Sequence, residues 1–393
     1  MQKPLDGIRV ISMEHAIAAP FCSRQLADLG ARVIKIERPV TGDFARNYDQ
    51  RVDGMSSHFV WTNRSKESLT LDIKQASALY VLTELLKTAD VFIQNLAPGA
   101  TARLGLSYDD LQKLNPRLIV CDISGYGNDG PYRDKKAYDL LIQSEAGFLS
   151  ITGTPEEPSK AGCSIADIAA GMYAYTNIMS AILLRQKTGV GSHIDISMLE
   201  ALGEWMGYPL YYAYQNAPPP PRTGASHATI YPYGRFSVGG NTMVMLGLQN
   251  EREWQLFCEK VLLQPDLALD ARFANNALRN TNRAILKEMI EQCFLQLSIT
   301  AVQERLDSAQ IANARMNDMA QVWDHPQLQA RNRWQEISTP IGKVPALLPP
   351  GKNNQFTYRM DPVPEIGEHT NAILKELGLE DAQITNMKNT EAI

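Results

Sequence analysis

The sequence predicts an α/β protein, with a helix-covered parallel sheet in a larger domain and a smaller α+β domain, on three observations. Its 393 residues exceed the size at which one core usually stops growing, so two domains are expected. Short β-rich runs alternate with helical patterns through the first half of the chain. An unbroken proline run, Pro218 to Pro221, then ends that alternation, because such a run fits neither a helix nor a central strand.

The elements follow in order. Gly7 to Met13 is β-rich, Pro20 to Leu29 is helical with Gly30 where a C-cap glycine belongs, and Arg32 to Glu37 is β-rich again. A second unit repeats the pattern with a strand at Ser68 to Ile73, a helix at Gln75 to Ala89, a strand at Val91 to Gln94, and Pro98 and Gly99 opening another helix. Leu118 to Ile123 is a strand that runs into the glycine-rich turn Gly125 to Pro131, and Ser164 to Gly171 opens a long, small-residue-rich helix reaching about Leu184. This βα alternation places ligands at the carboxyl ends of the strands. Beyond the prolines, Tyr233 to Val238 and Met243 to Gly247 flank Gly239, Gly240 and Asn241, which is a hairpin signal, and amphipathic helices continue to about Ala309. Thr370 to Leu377 is a further helix, followed by a polar end expected to fray. The predicted division is residues 1–200 with 330–393 as the large domain, 201–225 as a proline-rich linker, and 226–329 as the small α+β domain.

Composition excludes several function classes. With 44% hydrophobic and 21% charged residues the chain reads as soluble and globular, and a net charge of -5 offers no bulk basic surface for nucleic acid or anionic lipid. No apolar run approaches a membrane span and no leader pattern precedes the first strand, so a cytoplasmic location is expected, with neither nucleic acid nor membrane as partner. The cysteines, Cys22, Cys121, Cys163, Cys258 and Cys293, are odd in number and scattered, which suits reduced thiols. Cys163 lies close before Asp167 but has no histidine near it in sequence, which argues against a thiol nucleophile. No histidines pair at metal spacing, and no HExxH, CxxC, Walker sequence or true GxGxxG occurs, so no metal and no nucleotide held by those devices is expected.

Asp167 is the most informative position, and two readings of it stand together. Ser164 followed three residues later by Asp167 is a relative of the capping box, in which the acid satisfies free helix amides. The alternative is a carboxylate nucleophile facing a substrate that needs close backbone approach. The two are compatible, because the field at a helix start would keep the carboxylate ionised. The glycines from Gly125 to Gly130 read either as a simple turn or as a loop that cradles phosphate or thioester.

Several spaced segments carry a resemblance: Gly7 to Val10, Leu29 to Arg38, Asn63 to Lys66, Leu71 to Lys74, Gln94 to Gly99, Ser124 to Gly127, Ser164 to Gly171 and Gly189 to Met198. Together, in order and over nearly the whole chain, they resemble the class III CoA-transferases. The resemblance implies a Rossmann-like large domain built from the N-terminal half and the C-terminal segment. It also implies a ring-shaped subunit interlocked with a second copy in a homodimer. Asp167 falls on the family's catalytic aspartate, which attacks an acyl-CoA to give a mixed anhydride and then an enzyme–CoA thioester. No prosthetic group is implied, and coenzyme A thioesters and carboxylic acids are the substrates.

The family's CoA-contact positions match Arg38, Leu71, Lys74, Asn95, Arg103 and Lys136, whose charges suit phosphate recognition. Ala16 and Ile17 match positions lining the active site, and the glutamine typical of formyl-CoA transferases is absent there, which argues against formyl or oxalyl substrates. The related α-methylacyl-CoA racemases use a histidine base where this chain has Tyr138 followed by Asp139. A phenol is a poor base for α-proton exchange at neutral pH, so Tyr138 and Asp139 are expected to shape the acyl site of a transferase. The segment Arg222 to Gly234 most closely resembles the branch acting on C5 dicarboxylates such as itaconate, mesaconate or citramalate, with succinyl-CoA as donor. Arg222 and His227 are available for the second carboxylate. Intramolecular CoA transfer within a dicarboxyl monothioester, racemisation and non-catalytic CoA binding are the alternatives. The stretch Gly247 to Asn250 departs from the mobile glycine-rich loop of relatives, so no gating role is read from it.

Overall fold

A computed structural model describes residues 2–393. The chain divides into two compact units, one of the chain up to Ala146, Ala161–Gly207 and Gln327–Ile393, the other of Gly147–Lys160 and Tyr208–Pro326.

The first unit is built on a six-stranded sheet of β1 (Arg9–Met13), β2 (Arg32–Glu37), β3 (Lys66–Thr70), β4 (Val91–Gln94), β5 (Ile119–Ser124) and β6 (His193–Ser197), in the order β3-β2-β1-β4-β5-β6. Every pairing in it is parallel. Parallel strands are covered on both faces, and β1, β2 and β4 accordingly carry runs of buried Val and Ile such as Val10, Ile11, Val33, Ile34, Val91 and Ile93. The crossovers are helices: Ala18–Asp28 joins β1 to β2 and Ala76–Thr88 joins β3 to β4, burying Leu82, Leu85 and Leu86 in the main core. The strand order reverses between β1 and β4, and such a switch point opens a crevice at the carboxyl ends of its two strands.

The long helix Ile165–Thr188 precedes β6, with Gly189 closing it in a left-handed conformation. One turn beyond Asp167, Gly171 makes a close approach possible: a Cβ there would lie 2.7 Å from the Ala18 carbonyl oxygen. Residues i and i+4 share a helix face, so this contact also carries Asp167 toward the turn after β1.

The C-terminal end does not fray as its polarity suggested. It forms the helix Asp381–Asn389, started by a reciprocal capping box between Glu380 and Gln383, and buries Ile384 and Met387 in the main core. A hairpin of β10 (Trp334–Thr339) and β11 (Gly342–Leu347) in the same unit had no counterpart in the sequence reading.

The second unit holds an antiparallel sheet of β7 (Tyr233–Val238), β8 (Thr242–Gly247) and β9 (Ala312–Arg315). Trp254, Phe257, Phe273 and Phe294 pack with it into a separate core. Two boundaries differ from those expected. The segment assigned to a linker is helical over Met198–Trp205, where the Ser197 side chain accepts the Glu200 N–H, and over Gly207–Tyr212, so only the stretch around the prolines is extended. Gly147–Lys160 groups with the second unit, because the Gly153 carbonyl accepts the Gly224 N–H at 2.7 Å and those of Thr154 and Pro155 accept from Arg222. No described helix is long and apolar enough to cross a membrane.

Candidate active site

A cavity of about 670 Å³ opens in the first unit where β1, β4 and β5 end, a size that suits a small-molecule site. Its wall includes Ala16 and Ile17 after β1, Asn95 after β4, Gly125 after β5, and Asp139 with Asp167. The switch point is fastened by a reciprocal pair: the His15 N–H donates to Asn95 Oδ1 at 2.8 Å, and Asn95 Nδ2 donates to the His15 carbonyl at 2.9 Å. Asn95, expected at a CoA contact, thus already uses both ends of its amide to hold the turn after β1.

Asp167 lies in the first turn of its helix, but the capping arrangement expected for it does not form. Ser164 makes no side-chain cap bond. The cap comes from a distant residue: Asp139 Oδ1 accepts the Ala166 N–H at 2.8 Å, and Gln143 Nε2 holds Asp139 Oδ2 at 2.7 Å. The Asp167 carboxyl has no hydrogen-bond or ion-pair partner among the described residues, and it faces the cavity.

The expectation that the helix field keeps Asp167 ionised is also corrected. Burial, with the Asp139 carboxylate second, pushes its pKa up from 3.8 to about 7. Near neutrality the group is therefore close to half protonated. An unpaired carboxylate with raised basicity is a stronger nucleophile once its proton is gone.

Tyr138 lines the same cavity and is 71% exposed. Two further lining groups escaped the sequence reading. Tyr48 has its phenol pushed up to about 12 by burial and by the negative charges of Asp43 and Asp167, and its ring meets that of His58 edge-on with centroids 5.3 Å apart. His58 Nδ1 lies 3.2 Å from Asp49 Oδ2, which leaves Nε2 as the ring's other polar atom. The pairing of Asp49 with His58 across nine positions has no motif, and only the helix start at Ser57, whose N–H and hydroxyl donate to Asp49, brings them together.

A second cavity of about 530 Å³ shares Arg38, His15 and Leu96 with the first and is lined by Leu71 and Lys74. Lys136 lines the first cavity. Arg38, Lys74 and Lys136 are exposed, and their side chains make no hydrogen bond or ion pair among the described residues, while Leu71 is buried against the strand ends. Arg103 lines neither cavity; its guanidinium reaches the carbonyl of Pro98, a residue of the first cavity's wall, at 3.5 Å. Gly125 is held closely, since a Cβ on it would lie 2.2 Å from that of Ala137.

Arg222 and His227 belong to the second unit. Arg222 donates to the carbonyls of Thr154 and Pro155, both at 2.8 Å. His227 Nδ1 accepts the N–H groups of Thr229 and Ile230, and its ring stacks on Tyr233 at 5.3 Å. Both side chains therefore carry a local structural role. Gln249 and Asn250 are engaged with Glu253 at the start of a helix. Cys163 is exposed and lines neither cavity.

Comparison with known proteins gives a consistent picture. Residues 5–370 match the family described as CoA-transferase family III. The chain is 32% identical to the succinate–glutarate CoA-transferase of Agrobacterium fabrum, over 95% of this chain and 96% of that protein. It is also 32% identical to the acetyl-CoA:oxalate CoA-transferase of Acetobacter aceti, over 97% of each. Among solved structures, a CAIB/BAIF family protein from Brucella suis matches with a TM-score of 0.86 and 32% identity, covering 96% of this chain and 100% of that one.

Proposed function

Since the chain belongs to CoA-transferase family III, we propose that it moves CoA from succinyl-CoA to a C5 dicarboxylic acid, with Asp167 as the group that carries the acyl and CoA moieties in turn. The observation that carries this reading is the unpaired, cavity-facing carboxyl of Asp167 with its pKa near 7.

An Asp167 carboxylate oxygen attacks the succinyl thioester carbonyl. The C–S bond breaks, leaving an aspartyl–succinyl anhydride and CoA thiolate. The thiolate then attacks the aspartyl carbonyl and expels succinate, so that CoA is held as a thioester on Asp167. The acceptor carboxylate attacks that thioester, releasing thiolate and forming a second anhydride. Return of the thiolate to the acceptor's acyl carbonyl gives the product and restores Asp167. Each step exchanges one activated acyl group for another, and the chain's own groups supply charge stabilisation and orientation.

Arg38, Leu71, Lys74, Asn95, Arg103 and Lys136 are assigned to CoA. The cavity that Arg38 shares with Leu71 and Lys74 supports placing the nucleotide there and the thioester beside Asp167. Ala16, Ile17, Tyr138 and Asp139 are assigned to the acyl site. The Agrobacterium relative is named for succinate and glutarate, which supports a dicarboxylate pair, and itaconate is the acceptor favoured by the Arg222 to Gly234 segment. An interlocked homodimer in the cytoplasm belongs to the same reading. The exposed side chains of Tyr208, Leu210 and Tyr211 support burial against another chain.

Incubation with succinyl-CoA and a panel of C4 to C6 dicarboxylates, read by mass spectrometry of the new thioester, tests the reading. Transfer to itaconate, glutarate or another C5 diacid is expected. Transfer confined to monocarboxylates or to oxalate overturns the acceptor class.

A further inference from the structure

Beneath the turn after β1 lies a group of charges of which none lines the cavity of Asp167: Glu14, Lys35, Asp43 and Lys66, all buried. Lys35 Nζ donates to Asp43 Oδ2 at 2.8 Å and to Glu14 Oε1 at 3.2 Å. Lys66 Nζ donates to Glu14 Oε1 at 2.6 Å and to the Pro20 carbonyl at 3.0 Å. Asp43 Oδ1 accepts the N–H of Ala45 at 2.9 Å and that of Ala16 at 3.2 Å, and the Asp43 N–H donates to Glu37 Oε1 at 2.9 Å. The network thus grips the turn on both sides, at Ala16 through Asp43 and at Pro20 through Lys66.

What it grips is strained. Ala16 has φ 60, a left-handed conformation that a non-glycine residue adopts only when its surroundings impose it. The next residues, Ile17 and Ala18, open the helix Ala18–Asp28 and line the cavity, and the amides of a first helical turn have no partner within the helix. Buried ion pairs add little to stability over apolar residues of the same volume, so stability alone gives this cluster no purpose. Its geometric consequence is the conformation of Ala16.

We propose that Asp43, held by Lys35, is a positioning residue that fixes Ala16 in its left-handed conformation and so presents the Ile17 and Ala18 amides to the oxyanion formed when Asp167 is acylated. The inference rests on Asp167 as the nucleophile. Asp43 touches no substrate and acts only through the backbone it holds.

The test compares Asp43→Ala and Asp43→Asn in the full-length protein, using an acyl-CoA that the unmodified enzyme turns over. Loss of one well-placed oxyanion donor costs about 10²-fold or more in kcat, and that loss is expected for Asp43→Ala with the acyl-CoA KM changed less than about 3-fold. Asp43→Asn keeps an acceptor for the Ala16 amide and is expected to recover roughly 10-fold of the loss. Wild-type kcat in folded Asp43→Ala, or equal losses in the Ala and Asn variants, overturns the proposal. If Asp43→Ala does not fold, Asp43→Asn decides: reduced kcat at unchanged KM supports the role and wild-type kcat refutes it. Asp167→Ala is assayed in parallel, and activity there removes the nucleophile while leaving the Asp43 comparison readable.

Discussion

A single carboxyl group connects sequence, electrostatics and chemistry. Asp167 is held near pKa 7 by burial and by Asp139, so kcat/KM for the acyl-CoA is expected to rise with pH through about 7 and level off above it, as the nucleophile loses its proton. Asp139→Asn keeps the acceptor for the Ala166 amide but removes the charge, and the midpoint of the profile should move to lower pH; an unmoved midpoint contradicts the Asp139 contribution. The same shift has a stability consequence. A carboxyl whose pKa rises on folding favours the fold below 3.8, and that advantage is lost as pH rises through about 7. Asp167→Asn should therefore stabilise the protein by about 2 to 4 kcal/mol at pH 8 and by little at pH 4, as read by denaturant unfolding. The position of Asp167 at a helix start was legible because a carboxylate before a small-residue run is a local pattern. The capping residue was not, since Asp139 reaches the Ala166 amide from 27 positions away and displaces the expected Ser164 cap.

At the level of elements, the approach of two helices brings Asp167, the proposed nucleophile, to the β1 turn. Gly171→Ala sets two effects against each other. Alanine favours a helix interior by about 1 kcal/mol over glycine. Its Cβ would lie 2.7 Å from the Ala18 carbonyl, however, and a backbone atom cannot swing aside as a side chain can. The clash is expected to dominate, with a lower melting temperature and at least a 10-fold fall in kcat, since small displacements at a reacting group are costly. A more stable Gly171→Ala with normal kcat contradicts the close approach. Strands were the most readable elements: Arg32–Glu37 and Val91–Gln94 coincide with their predicted bounds, because β-branched runs closed by turn residues leave little freedom. The segment 201–225 misled because its prolines dominated the reading, while the capping hydroxyl of Ser197 lay just before it.

The whole molecule carries the cavity of Asp167 at the reversal of a six-stranded parallel sheet, and the parallel pairing, though not the strand order, was legible in the βα alternation of the first half. What sequence could not show were long-range returns of the chain. The last helix looks polar in sequence, yet Ile384 and Met387 enter the main core beside residues of the Ala76–Thr88 helix. Ile384→Ala is expected to cost about 2 to 4 kcal/mol in denaturant unfolding, where a frayed end would cost nothing measurable. Likewise Gly147–Lys160 joins the second unit through carbonyls that accept from the Arg222 guanidinium and the Gly224 N–H, which no local pattern announces.

The account turns on covalent chemistry at one position. Hydroxylamine added during turnover with an acyl-CoA, followed by peptide mass spectrometry, should convert Asp167 to its hydroxamate only when the thioester is present. Full turnover with no label at Asp167, or with the label on another residue, would contradict it.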